Sequence, residues 1–332
     1  MFIIATYSTA VIFCIITMLC WGSWANTQKL AASTWRFELF YWDYVIGILL
    51  FSLVLALTLG SSGAGGRSFL ADIGQADGKN IGSAIIGGIV FNAANILLVA
   101  AIAIAGMAVA FPVGIGLALV IGVVENYAVN PRGNQLLLFG GVGLIVIAIL
   151  LNAYAYRRMQ SADKKTSSKG LLLAVLAGVL MGFFYKFVAG SMFTDFNVPE
   201  AGKVSPYTAV VIFSVGVLLS NVVFNTILMK KPFTGGPVAF SSYFKGGFKN
   251  HITGILGGAI WCLGMSFSII ASGKAGPAIS YGLGQGATVI AALWGIFIWK
   301  EFRTAPKNTG VILNFMLLFY VVGLGLLVYA GA

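Results

Sequence analysis

The chain is dominated by ten apolar runs, each long enough for a helix of roughly 20 residues to cross a lipid bilayer. The runs lie at residues 5–25, 40–60, 81–104, 107–127, 135–156, 169–190, 206–229, 252–272, 275–299 and 309–331. Of the 332 residues, 59% are hydrophobic and 9% are charged, whereas about 25% of the residues of a soluble protein are charged. We therefore predict an all-α polytopic membrane protein with ten transmembrane helices.

Two pairs of runs are separated by only a few residues. The third and fourth meet at 104–106, and the eighth and ninth meet at 272–276. One continuous helix through either pair would be far longer than the bilayer is thick, so each pair is predicted to form a tight helical hairpin. The first run has no basic segment before it and no cleavage motif after it, which indicates a first span rather than a signal peptide.

The basic residues are concentrated in alternate connections between the runs. The formal net charge is +11, but no basic face forms that would fit nucleic acid. Fourteen of the twenty Lys and Arg residues lie in one set of connections. The positive-inside rule assigns that set to the cytoplasm, so we expect a plasma-membrane or inner-membrane protein with both termini outside.

The two halves of the chain resemble each other. The most polar connection, 160–169, separates residues 1–159 from residues 170–332. A shift of 170 residues aligns 85–114 with 255–284 at 8 identities in 30 positions. Because each half has five spans, an odd number, the halves are predicted to be inverted five-helix repeats joined by a cytoplasmic linker. Inverted repeats are typical of secondary transporters, which bind their substrate near the bilayer midplane.

Two asparagines in the third span are candidate ligand-binding residues, because polar side chains within a bilayer are costly. Asn92 and Asn95 lie three residues apart, on one face of a helix. The repeat aligns them with Cys262 and Met265, which directly follow Trp261. This broken symmetry favours a substrate site that includes both asparagines and Trp261. The alternative is that both amides bond neighbouring helices and only stabilise the bundle.

The ninth and first spans contain further candidate substrate-binding residues. Tyr281 and Gln285 lie four residues apart on one helical face, among glycines that leave the backbone accessible. Trp24 ends the first span, where it can stack on a ring-shaped solute or belong to an interfacial aromatic belt. Pro112 is expected to weaken or kink the fourth helix.

Three ionisable residues lie within or beside the spans and are candidates for ion coupling. Asp43 begins the second span and Glu125 ends the fourth. A carboxylate in a low-dielectric cavity takes up a proton readily, as proton coupling requires. Lys186, near the end of the sixth span, is expected on the same side as Glu125 and can pair with it. The alternative is that each side chain extends to the interface and is solvated there.

The sequence lacks the patterns of an enzyme or a metalloprotein. His251 is the single histidine and is expected in a basic loop, and the three cysteines lie in apolar runs without metal-ligand spacing. No phosphate-binding loop is present. We predict no catalytic residues, no metal and no cofactor.

Several short motifs support a family resemblance. They are Trp21-Gly-Ser-Trp24, Tyr41-Trp-Asp43-Tyr44, Gly87 to Asn92 with Asn95, Asn126-Tyr127, Leu256 to Trp261, and Trp299-Lys-Glu301. With the ten-span layout, they resemble the drug/metabolite transporter superfamily, in the branch of the glucose/ribose porters, the rhamnose–proton symporter and the ureide permeases. The resemblance implies proton-coupled uptake of a small uncharged polar solute and an outward N-terminus. Glu125 stands where ureide permeases have an apolar residue, so its coupling role is not implied.

The leading prediction is a monosaccharide–proton symporter that works by alternating access between the repeats. The alternative within transport is a ureide or nucleobase permease, followed by a drug exporter. A membrane sensor is disfavoured because no connection is long enough for a soluble output domain. The expected partners are the solute, protons and membrane lipids, and homo-oligomerisation is left open.

Overall fold

The structure, a computed structural model, describes residues 1–63, 65–159 and 167–332. The helices in chain order are α1 (Tyr7–Ser23), α2 (Asn26–Leu30), α3 (Phe37–Leu57), α4 (Phe69–Gln75), α5 (Gly78–Ala105), α6 (Met107–Val129), α7 (Gln135–Arg157), α8 (Ser168–Ser191), α9 (Pro206–Lys230), α10 (Phe248–Ala275), α11 (Pro277–Gly284), α12 (Ala287–Leu293) and α13 (Thr309–Ala330). A 3₁₀ helix lies at Phe240–Lys245, and a π-helical turn at Trp294–Ile298 follows α12.

The described residues contain nine segments that are long and apolar enough to cross a membrane. They are α3, α5, α6, α7, α8, α9, α10, α13 and the broken segment Pro277–Ile298. A further apolar helix, α1, has 17 residues. No strand is assigned in the described ranges, which contain one isolated bridge between Met192 and Val204. The chain is therefore an all-helical, multi-pass membrane protein.

Two glycines end helices where the sequence predicts the hairpins. Gly106 separates α5 from α6 with φ 81°, and Gly276 separates α10 from α11 with φ 82°. A positive φ of this size is strained for any residue with a Cβ atom, so glycine permits the reversal at both positions. The predicted breaks at 104–106 and 272–276 are confirmed.

The ninth apolar run is not one helix, contrary to the prediction. It is interrupted between Gly284 and Ala287, and its last turn is π-helical. Glycine lowers helix stability, and Gly284 and Gly286 flank Gln285 at the interruption. Pro112 has a smaller effect than predicted, because α6 continues through it to Val129.

The connections contain helical structure that hydropathy does not indicate. The helices α2 and α4 and the 3₁₀ helix all lie between apolar runs. His251 lies in the first turn of α10 and not in a loop, which corrects its predicted position. The predicted linker 160–169 lies mostly outside the described residues, and its last residues, 168–169, already belong to α8.

The helices pack closely through small residues. The helix α5 lies against α8 and α9, and α10 lies against α1 and α3. A Cβ atom at Gly88 would collide with the Phe213 carbonyl group, and one at Gly258 would collide with the Tyr44 carbonyl group. Such contacts replace the hydrophobic driving force that the bilayer does not supply between helices.

The two ends of the bundle differ. At one end, named here the basic end, the connections after α1, α7, α9 and α12 meet, and Lys29 pairs with Glu301 there. At the opposite end, Arg67 donates to the Glu200 and Lys203 carbonyl groups and pairs with Asp72. These buried and half-buried contacts close the opposite end of the protein.

Candidate functional site

A cavity of about 790 Å³ extends from the middle of the bundle to the basic end. This central cavity reaches exposed Ala32 and Ser33 in the connection after α2, so it opens at that end. Its volume lies within the range typical of small-molecule sites, roughly 300–1,000 Å³. The polar and aromatic lining residues include Trp24, Trp35, Asn95, Asn152, Tyr156, Gln285 and Thr288.

Packed aromatic rings form the inner end of the central cavity. Trp261 lies with its ring centroid 4.3 Å from that of Phe91 and 5.8 Å from that of Phe213. Phe184 packs on Phe91 at 5.3 Å. Trp261, Phe91 and Phe184 line the cavity, so these rings separate it from the closed end of the bundle and offer an apolar surface for stacking.

Asn95 presents an amide group to the central cavity. Its Nδ2 donates to the Tyr41 hydroxyl group at 3.0 Å, and that hydroxyl donates to Asn92 Oδ1 at 2.9 Å. Asn92 Nδ2 in turn donates to Ser220 Oγ at 2.9 Å. Asn95 Oδ1 has no hydrogen-bond partner within the described residues, so it is available to accept from a solute.

Gln285 offers a second amide group at the helix interruption between α11 and α12. It lines the cavity and is 7% exposed. Its backbone carbonyl accepts from Thr288 Oγ1 at 3.0 Å, and Thr288 Oγ1 accepts from the Tyr320 hydroxyl at 2.8 Å. These bonds hold the interrupted backbone, while the Gln285 side chain makes no hydrogen bond in the described part of the chain.

Two of the predicted substrate-binding residues lie behind the cavity wall. Asn92 is completely buried and bonds to protein through both amide atoms. Tyr281 is also completely buried, and its hydroxyl donates to the Ala118 and Met181 carbonyl groups. The structure therefore brings Asn95, Gln285, Trp261 and Trp24 to the cavity, whereas Asn92 and Tyr281 support the wall.

Two lining residues are absent from the sequence prediction. Asn152 is 7% exposed and its Oδ1 has no partner in the described chain, and the indole Nε1 of buried Trp35 also lacks one there. Asn152 interrupts the fifth apolar run, so the rule that intramembrane polar residues mark function would have found it. Trp35 lies in a connection, where nothing in the sequence distinguishes it.

The charged groups of the cavity are paired at its mouth. Lys29 lies 3.5 Å from Glu301 and 4.3 Å from the ring centroid of Trp299. The Tyr156 hydroxyl donates to Glu301 at 2.7 Å. Lys29 and Glu301 are the charged residues among the described lining, so the interior of the cavity offers neutral groups.

The predicted coupling carboxylates have different surroundings. Lys186 Nζ donates to Glu125 at 2.7 Å, and their side chains are 41% and 29% exposed and outside the cavity lining. The Asp43 side chain is 1% exposed and accepts from the Tyr243 hydroxyl at 2.5 Å. His251 Nδ1 lies 3.0 Å from both carboxylate oxygens of Asp43. Asp43 therefore does not extend to the interface, which excludes the alternative interpretation for this residue.

Comparison with known proteins gives the family. The model of the ureide permease family matches residues 40–169 and 155–330. The chain belongs to the ureide permease family. Ureide permease 1 of Arabidopsis thaliana is 23% identical over 387 aligned residues, which cover 98% of each chain. Ureide permease 4 of the same plant is 23% identical over 397 residues, again covering 98% of each.

More distant relatives agree with this family. The "Probable glucose uptake protein GlcU" of Priestia megaterium is 24% identical over 219 residues, which cover 64% of this chain and 67% of that protein. A solved crystal structure that is 15% identical superposes with a TM-score of 0.63 over 97% of each chain, and so supports the fold. As a ureide permease family member, the chain is a membrane transporter of small solutes. The predicted grouping with the rhamnose symporter stays a prediction.

Proposed function

We propose that this ureide permease family member is a ten-span secondary transporter that carries a small neutral ureide across the membrane. The observation that supports it most directly is the central cavity, in which the amides of Asn95, Gln285 and Asn152 face one space between aromatic walls. The mechanism is alternating access, in which two inverted five-helix repeats, 1–159 and 170–332, expose the cavity to each side in turn.

Matching helix contacts support the repeat. Gly47 in α3 lies against the Ile255 carbonyl group in α10, and Gly216 in α9 lies against the Ile85 carbonyl group in α5. Gly47 and Gly216 are 169 residues apart, and Ile85 and Ile255 are 170 apart. Each helix pair of one half is thus related to a pair in the other by the shift that aligns the sequences. Equivalent interfaces of this kind allow one bundle to rock against the other.

The chemistry of the central cavity favours a ureide over a charged solute. A ureide carries alternating N–H donors and carbonyl acceptors, which primary amides of Asn and Gln can pair with in both directions. Asn95 Oδ1 and Asn152 Oδ1 supply acceptors without a protein partner in the described chain. A flat ureide ring would stack on Trp24 or Trp261. The ureide permease relatives therefore support the alternative prediction rather than the monosaccharide placed first.

The open mouth at the basic end suggests an inward-facing state. The positive-inside rule assigns this end to the cytoplasm of the cell membrane and both termini to the outside. Uptake would then proceed from the closed end to the open end, driven by protons. Glu125 stays a predicted coupling residue, although its pairing with Lys186 lies outside the cavity.

A monosaccharide is the second candidate solute. The partial similarity to the "Probable glucose uptake protein GlcU" supports it, and sugar hydroxyl groups also bond to amides while a sugar ring stacks on Trp. A sugar would need more hydroxyl-directed partners than a ureide of equal size. The two candidates differ in the uptake that each predicts.

Uptake into proteoliposomes that contain the purified full chain tests the proposal. We expect labelled allantoin, a ureide, to exchange across the membrane, and glucose, ribose, rhamnose and uracil not to compete. Asn95→Ala should weaken apparent affinity about tenfold, since a lost hydrogen bond is worth about 1.5 kcal/mol. Asn126→Ala is the matched control, because Asn126 is buried but bonds to the Gly122 carbonyl outside the cavity. Transport of a sugar without allantoin would overturn the ureide proposal.

A further inference from the structure

A buried acidic group lies beside the central cavity, and the proposed solute site does not use it. The Asp43 carboxylate on α3 is surrounded by the His251 imidazole on α10 and the Tyr243 hydroxyl on the 3₁₀ helix. The His251 side chain is 24% exposed, whereas that of Asp43 is 1% exposed. The carboxylate is therefore shielded, while the imidazole reaches water.

The pair lies where the two proposed repeats meet. Asp43 belongs to the first half and His251 to the second, and Gly254 lets the helices approach, because a Cβ atom there would collide with the Asp43 side chain. The shift that aligns the halves relates Asp43 to Ile212, one position from strict register, and His251 to Ile81. The equivalent interface of the other half is thus apolar, which indicates that helix packing does not require an ionisable pair.

The surroundings of the pair favour a neutral total charge. An isolated ionised carboxylate in a low-dielectric site is costly, whereas one shared proton leaves the pair neutral, as Asp–His⁺ or as protonated Asp with neutral His. Burial and the bond to Asp43 raise the pKa of Tyr243, so its hydroxyl stays a donor. Loss of the shared proton leaves one buried negative charge.

Other charged groups near the pair are directed elsewhere. Arg36, at the start of α3, pairs with Glu38 at 2.6 Å. Lys29 pairs with Glu301 at the cavity mouth. Lys245 and Lys249, on the elements that carry Tyr243 and His251, are exposed. No other charged side chain of the described residues bonds to Asp43 or His251, so the protonation of the pair decides the local charge.

One residue connects the pair with the solute cavity. The Trp35 ring lies edge-on to the His251 ring, with centroids 5.2 Å apart, and it also lines the cavity. Its Nε1 has no partner in the described chain. A solute that binds Trp35 therefore contacts the side chain that covers His251.

We propose that Asp43 and His251 bind the proton that drives transport in this protein. The proposal rests on the proposed function and names the coupling site of the same transporter. One proton enters from outside and binds the pair, which then carries no net charge while the repeats rearrange. In the inward-open state, His251 releases that proton to the cytoplasm, and the pair returns with one negative charge. Each cycle moves one proton with one solute.

The test uses purified full-length protein in proteoliposomes and two assays with labelled allantoin. Exchange at equal pH on both sides reports solute transport alone. Accumulation under an inward gradient of about one pH unit reports coupling, because that gradient supports about tenfold accumulation at one proton per solute. The variants are Asp43→Asn and His251→Gln. Asp77→Asn is the matched control, since Asp77 caps α5 at the opposite end and Asn caps equally well.

We expect about tenfold accumulation by the wild type and Asp77→Asn, and a ratio near one for Asp43→Asn and His251→Gln, whose exchange falls far less. Accumulation by both pair variants, or a wild type that exchanges allantoin without responding to the gradient, would overturn the coupling proposal alone. Equal loss of exchange and accumulation in a folded His251→Gln protein would also overturn it, because the pair would then be structural. A wild type that exchanges no ureide contradicts the proposed function instead.

Discussion

Trp21 on α1 lies nearly parallel to Trp261 on α10, with ring centroids 6.0 Å apart and an angle of 14° between the rings. Trp21 Nε1 also donates to the Trp261 carbonyl group at 3.2 Å. Both rings line the central cavity. The same contact thus joins the first and second halves of the chain and forms part of the surface that a solute would meet.

Shortening Trp261 should separate its packing role from its stacking role. Trp261→Ala removes contacts with Phe91, Phe213 and Trp21, and we expect it to lower the free energy of unfolding by about 3–5 kcal/mol. Trp261→Phe keeps an aromatic ring, so most of the stability should remain while solute affinity falls severalfold. Thermal unfolding in detergent and binding measured on the same preparations check both effects. A fully stable Trp261→Ala protein would contradict the packing role.

Two glycines of α5 should respond oppositely to the same substitution. A Cβ atom at Gly88 would collide with the Phe213 carbonyl, so Gly88→Ala should separate α5 from α9 and reduce the yield of folded protein. A Cβ atom at Gly82, on the same helix, would have no neighbouring side chain or other helix within 4 Å. Gly82→Ala should therefore be neutral or stabilising by up to about 1 kcal/mol. Melting temperatures compare the two, and equal values would show that α5 and α9 do not pack as described.

The helices and hairpins follow from the sequence because hydropathy and glycine act locally. Apolar runs must become helices in a bilayer, and Gly106 and Gly276 lie where the chain reverses. The interruption at Gln285 is not evident from hydropathy, because a run of apolar residues does not report backbone hydrogen bonding. The cost of a buried amide correctly directs attention to Asn95 and Gln285, which line the cavity.

The rotation of each helix could not be predicted, because tertiary packing decides it. Asn92 and Asn95 share a helical face, yet Asn92 is held behind the wall by Tyr41 and Ser220. Asp43 and His251 are 208 positions apart in the chain, and only the packing of α3 on α10 brings them together. Sequence periodicity contains neither relationship.

Thiol labelling should locate the cavity mouth relative to the membrane. The three native cysteines are buried, so the background reaction is low. Ala32→Cys at the basic end and Ala201→Cys at the opposite end are both at exposed positions. We expect a membrane-impermeant thiol reagent to modify Ala201→Cys from outside intact cells, and Ala32→Cys only after the membrane is opened. The reverse pattern would invert the proposed orientation.

Replacing Asn152 should weaken solute binding and at the same time stabilise the protein. Its Oδ1 is buried without a partner in the described chain, and an unsatisfied buried polar group costs about 1–3 kcal/mol. Asn152→Leu removes that group and keeps a side chain of similar length, so the melting temperature should rise. If the amide bonds the solute, apparent affinity should fall about tenfold.

A matched substitution distinguishes this effect from a general response to an apolar side chain. Asn126 is buried like Asn152, but it already donates to the Gly122 carbonyl at 2.7 Å and does not line the cavity. Asn126→Leu should therefore leave affinity unchanged and bring no gain in melting temperature. A rise in melting temperature for Asn152→Leu without loss of affinity would show that the solute does not use this amide. Loss of both would indicate that Asn152 supports the fold through its side chain.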